Sequence, residues 1–431
     1  MPPEQDPTTR AQTRRLAMLF AALYFVQGIA EPTEGLISQP VRSLLRSWGY
    51  DAAGIGTFIF FLSLPWMVKP LYGILTDFVP VLGMRRKSWL VIMTAATALG
   101  LTVLWLVPLP EGASTLLFVL LFLPTLGVAF TDVVVDALMV DEGQPRKITG
   151  TLQSVGWGAI YTAAILTGWL GGWLSERGLQ TTGFLICALA AAGSLLLAWF
   201  VVKEPPAKPV EGSAKGAARA MWSAAKHPAV IGVGAFLFLV NFSPFGSSVR
   251  YIHMTEGLGL GEEVYGKMVS VQALASVVAA GTYGWICRRV PFKLLLHGSI
   301  VLTVVSTLMW LFAADEASVL TIAPFYGFTM MLVSLVQLDM AARYCPPAVA
   351  ATVFALLMAL CNQAVSLSEV VGGTFYTSWI DTIGRQPSFE RLVWVGAVFT
   401  GVCWVVVPFL NRLEDHGPPS DADGPGSEDE P

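Results

Sequence analysis

The chain has 431 residues, of which 54% are hydrophobic and only 13% charged. Soluble domains carry about 25% charged residues, so this balance, with 24 Phe, 14 Trp and a mean hydropathy of +0.63, excludes an ordinary soluble domain and points to a polytopic membrane protein. The net charge is -4, with the acid concentrated in the terminal SDADGPGSEDE, which excludes a basic nucleic-acid footprint.

A helix rises about 1.5 Å per residue, so a hydrocarbon core of about 30 Å takes roughly 20 apolar residues. Apolar runs fall near 16–37, 53–76, 88–108, 115–139, 149–175 and 181–202, then near 229–254, 263–287, 292–313, 317–341, 350–378 and 390–411. The first run, TRRLAMLFAALYFVQGIA, has the basic start and apolar middle of a signal peptide. No small-residue cleavage site follows and many spans do, so it reads as an uncleaved first helix. The expected architecture is an all-α membrane protein with twelve transmembrane helices in two six-helix bundles. A cytoplasmic tail, 1–15, precedes the N-terminal bundle, 16–202. The polar, basic linker 203–228 leads to the C-terminal bundle, 229–411, and an acidic, disordered tail, 412–431.

A cytoplasmic N-terminus puts most of the 26 Lys and Arg inside, among them Arg14, Arg15, Arg85, Arg86, Lys87, Arg146, Lys147, Arg288 and Arg289. Arg42, Arg46, Arg177, Arg250, Lys267, Arg385 and Arg391 fall on or towards the outside. This is the positive-inside asymmetry, so both termini are expected in the cytoplasm of a cell inner- or plasma-membrane protein. The five cysteines lie in or beside apolar runs without paired spacing, and the four histidines form no ligand cluster, so both read as packing residues.

Ionised groups inside hydrocarbon cost about 2.5–3.5 kcal/mol each on insertion scales, so each needs a partner, a wet cavity or a function. In the first span Tyr24, Gln27, Glu31 and Glu34 make a polar stripe, with Pro32 set to end the helix. In the second, Lys69 lies about 12 Å before Asp77 along a helix, and Asp132 lies at similar depth before Asp141 in the fourth. A Lys69–Asp132 pair would remove two isolated charges together. Asp136, one turn nearer the cytoplasm, is expected to bond Arg85 or Arg86 and gate with Gly73 and Asp77. In the fifth span Gln153, Trp157 and Tyr161 form a stripe that can stack on a flat ring, or equally a packing seam. In the seventh, Asn241 and Pro244 precede Arg250, which can clamp a carboxylate. Glu369 in the eleventh is set to face Arg250 or carry a proton. Asp339 and Arg343 close the tenth as a gate pair. Gln27, Glu31, Lys69, Asp132, Gln153, Trp157, Tyr161, Asn241, Arg250 and Glu369 are thus the candidate substrate-binding residues. Gly73, Asp77, Arg85, Arg86, Asp136, Asp339 and Arg343 are the candidate gate. No nucleotide-binding loop, catalytic triad or metal motif is seen, so no enzyme, cofactor or ATP-driven pump is expected.

The halves echo each other: Tyr72-Gly73 of LYGILTDF aligns with Tyr283-Gly284 of TYGWICRR, each followed by Arg-Arg in a short loop. A span leaving the bilayer through Gly and Asp into a tight basic loop is a signature of the major facilitator superfamily. PWMVKPLYGILTDFVPVLGMRRKSWL, TDVVVDALMVDEG, GTLQSVGWGAIY, LGLGEEVYGKM and AARYCPPAVAATVFALLMALCNQ together resemble the folate–biopterin transporter family, a branch of that superfamily. The resemblance spans nearly the whole chain. It implies secondary transport of a pterin or folate by proton symport, and it puts Lys69, Asp77, Arg85, Arg86, Asp132, Asp136, Gln153 and Trp157 in the functional set. Glu31, Arg250, Asp339 and Glu369 match no pattern of that family. The expected reading is a monomeric secondary active carrier of a small anionic heterocycle, with the lipid bilayer and a coupling proton as its other partners and no nucleic acid. The alternatives are a muropeptide-permease-like or other metabolite carrier, or a non-transporting membrane receptor or scaffold.

Overall fold

The computed structural model describes residues 7–206, 213–344 and 350–415. The middle of the expected linker, Cys345 and the end of the acidic tail lie outside the described residues. Helices carry the described chain; a single β-bridge, Val81 with Met84, closes the tight turn after the second span. In chain order the helices are α1 (Pro7–Ala30), α2 (Ser38–Ser47), α3 (Ala52–Leu62), α4 (Leu64–Met67), α5 (Lys69–Phe78), α6 (Lys87–Leu106), α7 (Ser114–Gly143), α8 (Thr149–Glu176) and α9 (Gln180–Leu196). They continue with α10 (Ala214–Ala225), α11 (Pro228–Asn241), α12 (Ser247–Ile252), α13 (Glu262–Ile286), α14 (Phe292–Leu308), α15 (Glu316–Tyr344), α16 (Ala350–Ile383) and α17 (Arg385–Asp415).

Eight of the described helices are long and apolar enough to cross a membrane: α6, α7, α9, α13, α14, α15, α16 and α17. The other four predicted spans coincide with α1, α3–α5, α8 and α11–α12. These are the ones that carry polar stripes or breaks; the fifth, α8, is the continuous helix expected, while in the first, second and seventh the structure corrects the sequence reading. The first span does not run to residue 37. α1 stops at Ala30, before Pro32; the chain folds back so that Leu36 N–H reaches the Ile29 carbonyl, and α2 follows as a separate helix. The second span is three pieces, interrupted at Ser63 and Val68, each just ahead of a proline, Pro65 and Pro70. A proline inside a helix removes one N–H and clashes with the carbonyl four residues back. Pro244 acts alike in the seventh span, which ends at Asn241 and restarts at Ser247.

The apolar packing divides the molecule into two unlike ends. Where α8 finishes and α13 begins, one continuous core takes side chains from both halves, including Leu36, Ile55, Leu174 and Phe184 with Phe245, Tyr251, Trp310 and Tyr376. At the opposite end there are two cores. One holds Phe20, Tyr72, Phe130 and Leu138 of the first half, and the other Phe236, Leu296, Val336 and Leu357 of the second. Small residues make the fused end tight. A Cβ added to Gly266 of α13 would stand 2.4 Å from the Gly168 carbonyl of α8, and one on Gly56 of α3 would stand 2.3 Å from the Glu369 carbonyl of α16. Glycine lets helix backbones approach where no hydrophobic drive exists between lipid-bathed helices. The Ser270 hydroxyl adds a bond of 2.7 Å to the Ile165 carbonyl across the same contact.

Candidate functional site

Two clusters of charge lie inside the apolar shell. The first is set at the break between α4 and α5. Lys69 opens α5, and its ammonium meets Asp132 of α7 at 2.5 Å while standing 4.5 Å over the Trp66 ring. Gln27 of α1 donates to the other Asp132 oxygen at 2.5 Å, and the Tyr24 hydroxyl, one turn away, donates to Asp136. The pairing of Lys69 with Asp132 expected from their depths is present. The expected bond from Asp136 to Arg85 or Arg86 is not. Arg86 instead reaches Asp77 at 2.5 Å, Thr76 at 2.7 Å and Asp141 at 3.6 Å. The reason is depth. Asp136 lies five residues, about 7.5 Å, before Asp141 on α7 and so deeper in the span, where Tyr24 is its neighbour. Gly73 has no close neighbour: a Cβ there would meet nothing nearer than Val133 at 3.9 Å.

Glu204, which the sequence reading passed over, organises the basic turn. Its carboxylate accepts the backbone N–H groups of Arg85, Arg86 and Lys87, at 3.1, 2.9 and 2.6 Å. These are unpaired donors at the start of α6, where the helix dipole favours an anion. The loop after the sixth span is thereby tied to the loop after the second.

Gln153, Trp157 and Tyr161 lie on one strip of α8. Gly156 and Ala163 of α8 meet Tyr24 and Gly28 of α1, while Gly168 and Gly172 meet α13. At about 100° per residue, the strip lies between those two faces, turned towards the other half of the molecule. Gln153 and Trp157 are exposed there, and the Trp157 and Tyr161 rings stack with centroids 6.1 Å apart.

The second cluster lies at the fused end. Glu31 folds over its own turn, accepting Thr33 N–H at 2.9 Å, the Thr33 hydroxyl at 2.6 Å and Glu34 N–H. Glu369 of α16 accepts Ser247 N–H at 2.7 Å, the Ser247 hydroxyl at 2.9 Å and Ser248 N–H at 2.9 Å, donors that the Pro244 break leaves free. Arg42 of α2, only 3% exposed, donates to the Ser247 hydroxyl at 3.0 Å and lies in the field of Glu34 and Glu369. The direct Arg250–Glu369 pair is not formed, because the start of α12 occupies the carboxylate. The Arg250 guanidinium is walled by the Phe245, Trp310 and Tyr326 rings at 5.4, 5.6 and 5.0 Å. Its Nε and Nη1 find no acceptor among the described residues. Asn241 is held apart from this cluster, donating to the Gln337 side chain at 2.9 Å. Asp339 lies two residues further along α15, and the side chain of Arg343, its expected partner, lies outside the described residues.

Arg42, Glu262, Tyr265 and Tyr326 were also missed by sequence reasoning. Glu262 closes the rim of the fused end: it accepts from Gln39 at 3.0 Å, Arg46 at 2.9 Å and Tyr251 at 2.5 Å, joining the two halves. The available signal was the Gln39-Arg42-Arg46 spacing, which puts one polar face on α2.

Residues 27–422 match the model of the BT1 family. A folate-biopterin transporter of Synechocystis is 29% identical over 95% of this chain and 84% of its own length. A probable folate-biopterin transporter of Arabidopsis thaliana is 26% identical over 82% of this chain and 75% of that protein. Folate transporter 1 of Plasmodium falciparum is 22% identical over 74% and 64%. Among solved structures, the nucleoside transporter NupG, in a mutant form, superposes with a TM-score of 0.71 at 15% identity, covering 92% of this chain and 99% of its own. A POT family transporter in complex with 5-aminolevulinic acid superposes with a TM-score of 0.69 at 12% identity, covering 92% and 96%. The fold is that of the major facilitator transporters.

Proposed function

The chain belongs to the BT1 family and is a multi-pass membrane transporter, and on that footing we propose that it carries a pterin- or folate-like anionic heterocycle by proton-coupled alternating access. The observation that carries this reading is the Lys69–Asp132–Gln27 cluster, held inside the apolar shell at the level of an exposed aromatic strip. Gly156 packs on Tyr24, whose hydroxyl reaches Asp136, so Trp157 lies level with the charges. A flat ring stacks on Trp157 and Tyr161 while Lys69 and Gln153 answer its polar edge. Arg250, with two N–H donors unused, takes the anionic group of the substrate. The names of the relatives support folate or biopterin as the solute.

The mechanism is a rocking of residues 16–202 against 229–411 about the charged middle, with 203–228 as the tether. The fused end faces outwards and the split end faces the cytoplasm, where both termini lie. Asp77, Arg86, Glu204 and Asp141 then hold the inner loops of the first bundle as one unit. Each protomer works alone, with no chemical step on the solute. Purified protein in liposomes should accumulate labelled folate or biopterin when an inward proton gradient is imposed. Uptake unchanged by collapsing that gradient would remove the proton coupling, and no uptake of either solute would remove the substrate assignment.

A further inference from the structure

The cluster at the fused end holds three carboxylates, Glu31, Glu34 and Glu369, and two guanidiniums, Arg42 and Arg250. Arginine keeps its charge in proteins, so the cluster carries one acid more than its bases can neutralise. Glu31 has two N–H groups and a hydroxyl on its carboxylate, and Glu369 likewise has two N–H groups and a hydroxyl. Donors of this kind favour the charged form of a carboxylate, against the desolvation that burial imposes. Glu34 is different. Among the described residues no hydrogen-bond donor reaches its carboxylate and no cation lies within 4.0 Å of it. It is also the exposed member, beside Glu31, Arg42 and Glu369 at 7%, 3% and 5%. The groups that face it are Glu31 at the end of α1, Arg42 of α2, Arg250 of α12, Tyr265 of α13 and Glu369 of α16.

We propose that Glu34 is the residue that takes up and releases the coupling proton, in exchange for the charge that an anionic solute neutralises on Arg250. Without solute, Arg42 and Arg250 balance two of the three carboxylates. When an anion docks on the free Nε–Nη1 edge of Arg250, one positive charge is withdrawn from the cluster, and the least supported carboxylate takes a proton from water to restore the balance. Release of the anion returns the positive charge and expels the proton. One proton thus travels with one anionic group, and no bond other than O–H forms or breaks. In the cluster around Lys69 the surplus acid, Asp136, keeps the Tyr24 hydroxyl as its donor, so that site is not left bare in the same way.

The proposal rests on the carrier reading above, and the test separates the two. Infrared titration of the unliganded protein reads the C=O stretch of protonated carboxyl groups, and gradient-driven accumulation and counterflow of labelled folate are read in liposomes. Glu34→Gln should remove a carboxyl band that grows on acidification. It should reduce gradient-driven accumulation to the level of protein-free vesicles and leave counterflow in place. A Glu34→Gln protein that keeps gradient-driven accumulation, or that loses counterflow as well, overturns the proposal. If the wild-type protein moves no folate, the carrier reading for that solute fails. The infrared band then decides alone: its loss in Glu34→Gln upholds Glu34 as the proton site, and its persistence overturns it.

Discussion

The two ends of the molecule are built from the same helices and held by different forces. At the fused end one apolar core crosses between the halves, glycines bring α8 against α13 and α3 against α16, and charge sits at the rim around Glu262. At the split end each half keeps its own core, and ion pairs such as Arg86 with Asp77 stay within one half. In the proposed rocking, the glycine contacts of the fused end and the ion pair of Arg46 with Glu262 across it would part together. In the same rocking, a half braced internally by ion pairs would move as a rigid body. The difference between the ends is the difference between a seam and two blocks.

Four substitutions break or sharpen that contrast. The largest effect belongs to Gly266→Val. A Cβ at 2.4 Å from the Gly168 carbonyl cannot be accommodated without separating α8 from α13, so uptake should vanish and spin-label distances across the fused end should lengthen. Lys69→Ala comes next, since it strands Asp132 within the apolar shell. Removing one partner of a buried pair costs about 3–5 kcal/mol, and partial exposure of both side chains puts this case at the low end. Uptake should be lost and thermal stability reduced, and a double variant with Asp132→Asn should regain stability without regaining uptake. Trp157→Ala removes the exposed stacking ring, a contact worth about 0.5–1.5 kcal/mol beyond its area. It should raise the KM for folate several-fold and leave the melting temperature near that of the wild type. Glu262→Gln is the mildest. Partly exposed ion pairs contribute about 0–1 kcal/mol, so uptake should persist, with a small shift towards the state in which the fused end is parted.

Much of the first half was legible because depth along a helix is countable from sequence. Lys69 and Asp132 meet because each lies the same distance from the end of its span, and the echo of Tyr72-Gly73 at Tyr283-Gly284 marks equivalent helices. The end of the first helix at Pro32 was read, but the breaks that Pro65, Pro70 and Pro244 announce were not. Hydropathy averages over a window and does not feel a lost N–H. The site at the fused end was half visible for the same reason. Arg42 was assigned to an outer loop, whereas the turn at Pro32 folds α2 inwards and buries it. Arg250 and Glu369 were placed together by depth, but the donors exposed by the Pro244 break take the carboxylate first. Glu204 lay beyond the sixth span, where nothing in the local pattern names the loop it caps.

The most direct test reads both ends at once. Spin labels on exposed positions Leu179 and Gln386 at the fused end, and on Gln144 and Arg288 at the split end, are placed in a cysteine-free protein in liposomes. Alternating access predicts that folate with an inward proton gradient lengthens the first distance and shortens the second in the same molecules. Two distances that stay fixed, or that lengthen together, would contradict it.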